Sequence, residues 1–147
     1  MRHLSHWVRD LAVALCSVMI LAASPVWADD AVSAGDAAAI HQAVAGQLAA
    51  FQRDDGDKAF GYATPKIHAM FGTPDNFMLM VRNGYAPVYR PRHVAFGAVD
   101  IQEGVPTQHV LLTGPDGVEV EALYFMEHEA DGSWLINGCV LRPSFQA

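Results

Sequence analysis

The hydrophobic period of this chain changes once, near residue 94, and that change restricts the fold more than any other feature. Before it, Ile40, Val44, Leu48 and Phe51 recur at spacings of four, four and three, which places them on one face of a helix. After it the period is two. Val94, Phe96, Ala98 and Asp100 alternate with Ala95, Gly97, Val99 and Ile101, as a strand requires. Three further strands follow, over residues 107–113, 118–126 and 133–141. They are separated by the turns Gly114-Pro115-Asp116-Gly117 and Glu127 to Gly132. Connections this short join antiparallel neighbours, so the strands make a meander. Helices first and strands afterwards give an α+β fold, with N-terminal helices packed on one face of one sheet.

The helical half carries its own punctuation. Ser33 followed by Asp36 resembles a capping box and starts the first helix. Alanines fill the remaining positions and favour the same state. Asp54-Asp55-Gly56-Asp57 breaks it, and a short helical piece from Lys58 to Ala63 follows. Thr64-Pro65 and Thr73-Pro74 each set an N-cap residue before a proline at the first helical position. Gly72 and Gly84 stand where glycines end helices, so helices are predicted over 65–71 and 74–83. At the far end of the chain, Gly138 interrupts the last strand and Pro143 stops it.

Residues 1–28 read as a signal peptide rather than as part of the fold. Arg2 and Arg9 supply a positive start, Leu11 to Ala23 an uncharged apolar run, and Val26 and Ala28 a cleavage site before Asp29. The run is short against the roughly 20 residues of a membrane span, so no stable span is expected after processing. The expectation is export, to the periplasm, of a single α+β domain over 29–147. Cys16 leaves with the signal, and Cys139 then has no intramolecular partner. In its apolar strand it is expected to be a buried, inert thiol.

Charge is unevenly distributed. The chain carries a net −7, which opposes nucleic-acid binding. Yet residues 64–94 hold Lys66, Arg82, Arg90 and Arg92 against Asp75 alone, while residues 95–147 set Arg142 against eight acids. The cationic island centres on Met80 to His93, where Arg82, Arg90 and Arg92 surround Tyr85 and Tyr89, stiffened by Pro87 and Pro91. Arginine forks bind carboxylate or phosphate in pairs of hydrogen bonds, which suits an acidic ligand or partner. The same arginines can instead reach the sheet's own acids and pin the helical layer to it, with the tyrosines as packing residues.

Three motifs, F-G-T-P at 71–74, M-V-R-N-G-Y-A-P-V-Y-R-P-R at 80–92 and D-G-S-W-L-I-N-G-C at 131–139, resemble an uncharacterised bacterial family. It is known as domain of unknown function 4864 and is placed with the nuclear-transport-factor-2-like superfamily. The resemblance spans roughly residues 35–143. It implies a curved antiparallel sheet wrapped around helices, a cystatin-like cone with a pocket, and it implies no activity. Relatives across that superfamily include ketosteroid isomerases, polyketide cyclases, dehydratases and non-enzymatic binding modules, so fold alone does not give function.

An isomerase or cyclase needs a base in the pocket and a donor for the developing oxyanion. The inward candidates are Asp100, in phase with Val94 and Phe96, then His109, and Tyr124, in phase with Val120 and Met126. Neither metal nor cofactor is expected: His41, His68, His93, His109 and His128 are scattered, and there is no H-E-x-x-H, C-x-x-C, P-loop, dinucleotide glycine motif or serine nucleophile motif. Glu119, Glu121, Leu123 and Phe125 share the other face of their strand, where Leu123 and Phe125 suit contact with a second subunit in a homodimer. The expectation is an exported binding or accessory module for a small ligand or protein partner. An enzyme of the cyclase or isomerase type and a homodimeric structural protein are the rivals.

Overall fold

The computed structural model describes residues 31–144; the expected signal peptide and its cleavage point lie outside them. Among the described residues five helices precede four strands: α1 (Ala34–Gln52), α2 (Gly56–Gly61), α3 (Pro65–Phe71), α4 (Pro74–Gly84) and α5 (Ala86–Tyr89), then β1 (His93–Gln102), β2 (Val105–Thr113), β3 (Glu119–His128) and β4 (Trp134–Pro143). The sheet runs β1-β2-β3-β4, every pair antiparallel. None of the described helices is long and apolar enough to cross a membrane.

The caps fall where side-chain oxygens are placed to take the first free N–H groups. Ser33 accepts from the Asp36 amide at 3.1 Å, and Thr64 and Thr73 do the same for α3 and α4 at 3.4 and 3.2 Å. The acidic run after α1 does more than break a helix. Asp54 adopts the left-handed conformation at φ 55, which asparagine and aspartate tolerate better than most residues. Its amide donates to the Phe51 carbonyl and the Asp55 amide to that of Ala50, a Schellman closure of α1. Asp55 then caps α2 through the Lys58 amide at 3.1 Å. The second helix therefore starts at Gly56, two residues before the predicted Lys58.

The stripe Ile40, Val44, Leu48 and Phe51 is buried as its spacing predicts, and packs with Phe60, Phe77 and Val81 from α2 and α4. On the sheet side it meets Val110, Leu112, Ala122, Tyr124 and Met126. Between α2 and α3, Ala63 forms a parallel bridge to Ile136, so this connection extends the β4 edge. Trp134 at the start of β4 donates to Asp36 at 3.0 Å and ties the far edge of the sheet to the start of α1.

One irregularity decides which residues face the helices. The β1–β2 register shifts between Phe96 and Val99, a bulge that takes up one extra residue. Val94, Phe96 and Val99 all pack on the core, so the phase slips by one across Gly97 and Ala98. The buried Gln108 lies opposite, and its amide donates to the Gly97 and His109 carbonyls at 2.9 Å each. Gly97 stands in close quarters here, because a Cβ would lie 3.2 Å from that of His109, a tight contact.

Candidate functional site

Between the helices and the β3–β4 half of the sheet lies a cavity of about 380 Å³, within the range of small-molecule sites. Gln47 and Phe51 of α1, Phe77, Met80 and Val81 of α4, and Tyr85 and Val88 form one side. Tyr124, Ile136 and Cys139 form the sheet side. The outer wall is α3. None of its residues is buried, yet Ile67, Met70 and Phe71 turn to the cavity. Met70 is 63% exposed and marks the rim.

The cavity's polar groups are few, and most are committed. Gln47 donates to the Ala59 carbonyl at 3.1 Å, and the Tyr85 hydroxyl to the Cys139 carbonyl at 3.0 Å. Tyr124 is 1% exposed, and its buried hydroxyl has no nitrogen or oxygen partner among the described residues. The Cys139 thiol is its neighbour, and sulfur is a weak partner. Burial raises the Tyr85 hydroxyl above its ordinary range and holds that of Tyr124 well above it. Burial also pushes the Cys139 thiol up to about 12, with a smaller opposing pull from Tyr124. All three groups are therefore neutral at physiological pH.

The arginines of the cationic segment do not line the cavity, and Arg82 and Arg90 are held by contacts within the chain. Arg82 and Arg90 pair with Asp54 at 3.6 and 2.8 Å, and the Tyr89 hydroxyl donates to the same carboxylate. Both guanidiniums also lie on the Tyr89 ring, at 5.6 and 4.0 Å from its centre. Arg90 donates to the Phe51 carbonyl at 2.5 Å, placing its charge at the negative end of α1. The Tyr89 hydroxyl above all, then Arg90 and Arg82, hold the Asp54 carboxyl below its ordinary value against the opposing effect of burial. The partner acid is thus Asp54 at the end of α1, not an acid of the sheet. Arg92 is different: its guanidinium approaches Gly117 in the β2–β3 turn, and it forms no ion pair among the described residues.

Of the three inward candidates, only Tyr124 reaches the cavity. The β1 bulge turns Asp100 onto the opposite face of the sheet, and the pleat puts His109 there too. His109 bridges Asp100 at 2.9 Å and Glu121 at 2.6 Å, and Glu121 accepts from Arg142 at 2.6 Å. Burial alone would lower the His109 pKa, but the two carboxylates outweigh it and raise the value above 6.5. A folded-state pKa above the unfolded one contributes stability that is fully present below the unfolded value and lost as pH rises through the folded one. The melting temperature should therefore fall on raising the pH above about 6.5 by more in the native protein than in His109→Gln. Parallel pH profiles of the two proteins would contradict this. Leu123, on this same face, is 8% exposed within the single chain. Among the described residues no cluster of three His, Cys, Asp or Glu side chains is placed to hold a metal ion.

Two residues of this architecture escaped the sequence reading. Gln47 lies on the buried α1 stripe between Val44 and Phe51, and a polar residue on an apolar stripe is the signal that marks it. Asp54 had no local signal of its role as the common acceptor for Arg82, Tyr89 and Arg90.

Comparison with known proteins gives a family but no activity. Residues 33–146 match the family model described as domain of unknown function (DUF4864). No curated protein and no solved structure matches.

Proposed function

Since the chain belongs to the domain of unknown function 4864 family, whose description carries no activity, we propose from the cavity itself that the protein is a binding module for a small, largely apolar molecule. The single observation that carries this reading is an apolar cavity of about 380 Å³ with few polar side chains on its wall. Apolar walls supply affinity, and a few fixed polar groups supply orientation. The rival reading, a cyclase or isomerase, needs a base beside the substrate. Among the described residues the lining side chains include no carboxylate and no histidine, and the His109–Asp100 pair lies across the sheet. An acidic partner at the Met80–His93 segment would have to compete with Asp54 for Arg82 and Arg90.

We also propose that the domain is exported, on the strength of its N-terminal pattern. Its kinship with the nuclear-transport-factor-2-like superfamily is part of the same proposal, supported by helices packed on a four-stranded antiparallel sheet around a cavity.

The binding reading is tested with N-phenylnaphthylamine, which fluoresces on entering apolar sites. The native protein should give a saturable rise in emission at one site. Ile67→Trp should fill the cavity from α3, where no residue is buried, and weaken binding at least about tenfold, or 1.4 kcal/mol, without lowering the melting temperature. Emission that never saturates, or an Ile67→Trp variant that binds as tightly as the native protein, would sink the reading.

A further inference from the structure

We infer that the molecule held in this cavity carries a neutral hydrogen-bond donor, a hydroxyl or an amide-type N–H, which it gives to the side-chain oxygen of Gln47. The inference rests on the binding reading above and adds the chemistry of the ligand's polar end. Gln47 is 3% exposed and stands on the cavity wall, in the apolar α1 stripe between Val44 and Phe51. An apolar side chain there would leave no polar group to satisfy. Part of what the glutamine does is structural: its amide nitrogen donates to the Ala59 carbonyl at 3.1 Å and ties α1 to α2. That bond also fixes which way round the amide sits. A carbonyl can only accept, so the nitrogen faces Ala59 and the oxygen points away from it. The oxygen has no partner among the described residues, yet it is not sealed in as the Tyr124 hydroxyl is. Gln47 therefore offers the cavity a free acceptor.

The rest of the wall also favours a donor on the ligand. The Tyr85 hydroxyl has given its proton to the Cys139 carbonyl, which leaves its oxygen as a second acceptor. The Tyr124 hydroxyl is enclosed beside the Cys139 thiol, out of a ligand's reach. A wholly apolar ligand would strip water from the Gln47 oxygen and put nothing in its place, and an acceptor left unpaired in this way is costly. A charged donor fits no better. Among the described residues no aspartate or glutamate lines the cavity, so an ammonium would lose its hydration with no counter-charge to replace it. What remains is a neutral O–H or N–H on an apolar body.

Four probes of similar size separate the possibilities: naphthol, methoxynaphthalene, methylnaphthalene and naphthylmethylammonium, each titrated calorimetrically into the purified protein at neutral pH. Naphthol should bind about tenfold more tightly than methoxynaphthalene, whose oxygen accepts but cannot donate; that factor is the size of one hydrogen bond. The ammonium should bind weakest of all. In Gln47→Met, which keeps the length of the side chain but not its carbonyl, naphthol should fall to the level of methylnaphthalene. Methylnaphthalene itself should bind the variant as it binds the native protein, which also shows that the variant has folded. Should loss of the bond to Ala59 unfold Gln47→Met, the native protein labelled with isotopic glutamine carries the same test. Its Gln47 side-chain carbonyl resonance should move further with naphthol than with methylnaphthalene. Methoxynaphthalene or the ammonium binding as tightly as naphthol would overturn the inference. So would a naphthol preference that survives in Gln47→Met, or equal carbonyl shifts with the two probes. Equal binding of the three neutral probes would mean that solvent serves the Gln47 oxygen; it would overturn this inference and leave the binding reading standing. Failure of all four probes would overturn both.

Discussion

Phe51→Ala is expected to destabilise the protein by about 3–5 kcal/mol, the range for removing a fully buried aromatic side chain. Phe51 is 1% exposed and packs against Phe77 with ring centres 6.0 Å apart and the rings tilted. It is the last residue of the α1 stripe, and it also lines the cavity. Its carbonyl closes α1, accepting from the Asp54 amide and from Arg90. Truncation therefore opens the core where helix, cavity and arginine clamp meet, and the loss should lie at the top of the range. Urea unfolding measures it from the shift in midpoint at constant slope. A loss below about 1 kcal/mol would be far short of the truncation range. It would mean that the α1 stripe does not hold the helical layer to the sheet.

Gln108→Leu carries the second large effect, about 2–3 kcal/mol. Its amide is the donor for the Gly97 and His109 carbonyls at the β1 bulge. Removing the donor side of a buried hydrogen bond costs roughly 1–3 kcal/mol for each acceptor left unpaired. The Gln108 carbonyl oxygen is itself buried without a partner, and its removal offsets part of the cost. The variant should do more than lose stability. The bulge sets the phase of β1, so relaxing it should loosen the Asp100–His109 contact and flatten the pH dependence attributed to His109. Hydrogen exchange should quicken across the β1–β2 pair and leave the β3–β4 pair unchanged. Unaltered exchange at the bulge would show that the ladder holds it without Gln108.

That bulge also marks where the sequence stops being legible. The order of helices and strands is written in the change of period and in the two Thr-Pro pairs, because capping and proline geometry are local. Tyr124 is readable for the same reason: the alternation Val120, Ala122, Tyr124 is unbroken in its strand, and all three pack in or against the core. Asp100 is not, because strict alternation carried across Gly97 assigns it to the wrong face. An isolated glycine in a strand is the one local hint of a bulge. The short helix α5 has no signal of its own in the sequence, where Pro87 and Pro91 indicate only a stiffened stretch rich in arginine and tyrosine. The arginines illustrate a different limit. Their need for an acid follows from charge balance, but the choice of Asp54 follows only from how the end of α1 meets α4 and α5 in space. The cavity is likewise a product of packing: its lining comes from four helices and two strands, and no motif announces it.

An amide-resolved NMR titration of the native protein with N-phenylnaphthylamine tests the central claim most directly. Saturable shifts should concentrate at Gln47, Phe51, Ile67, Val81, Tyr85 and Cys139, which line the cavity, while His109 and Glu121 on the opposite face of the sheet stay still. Shifts that never saturate, or that centre on the outer face around His109, would contradict it.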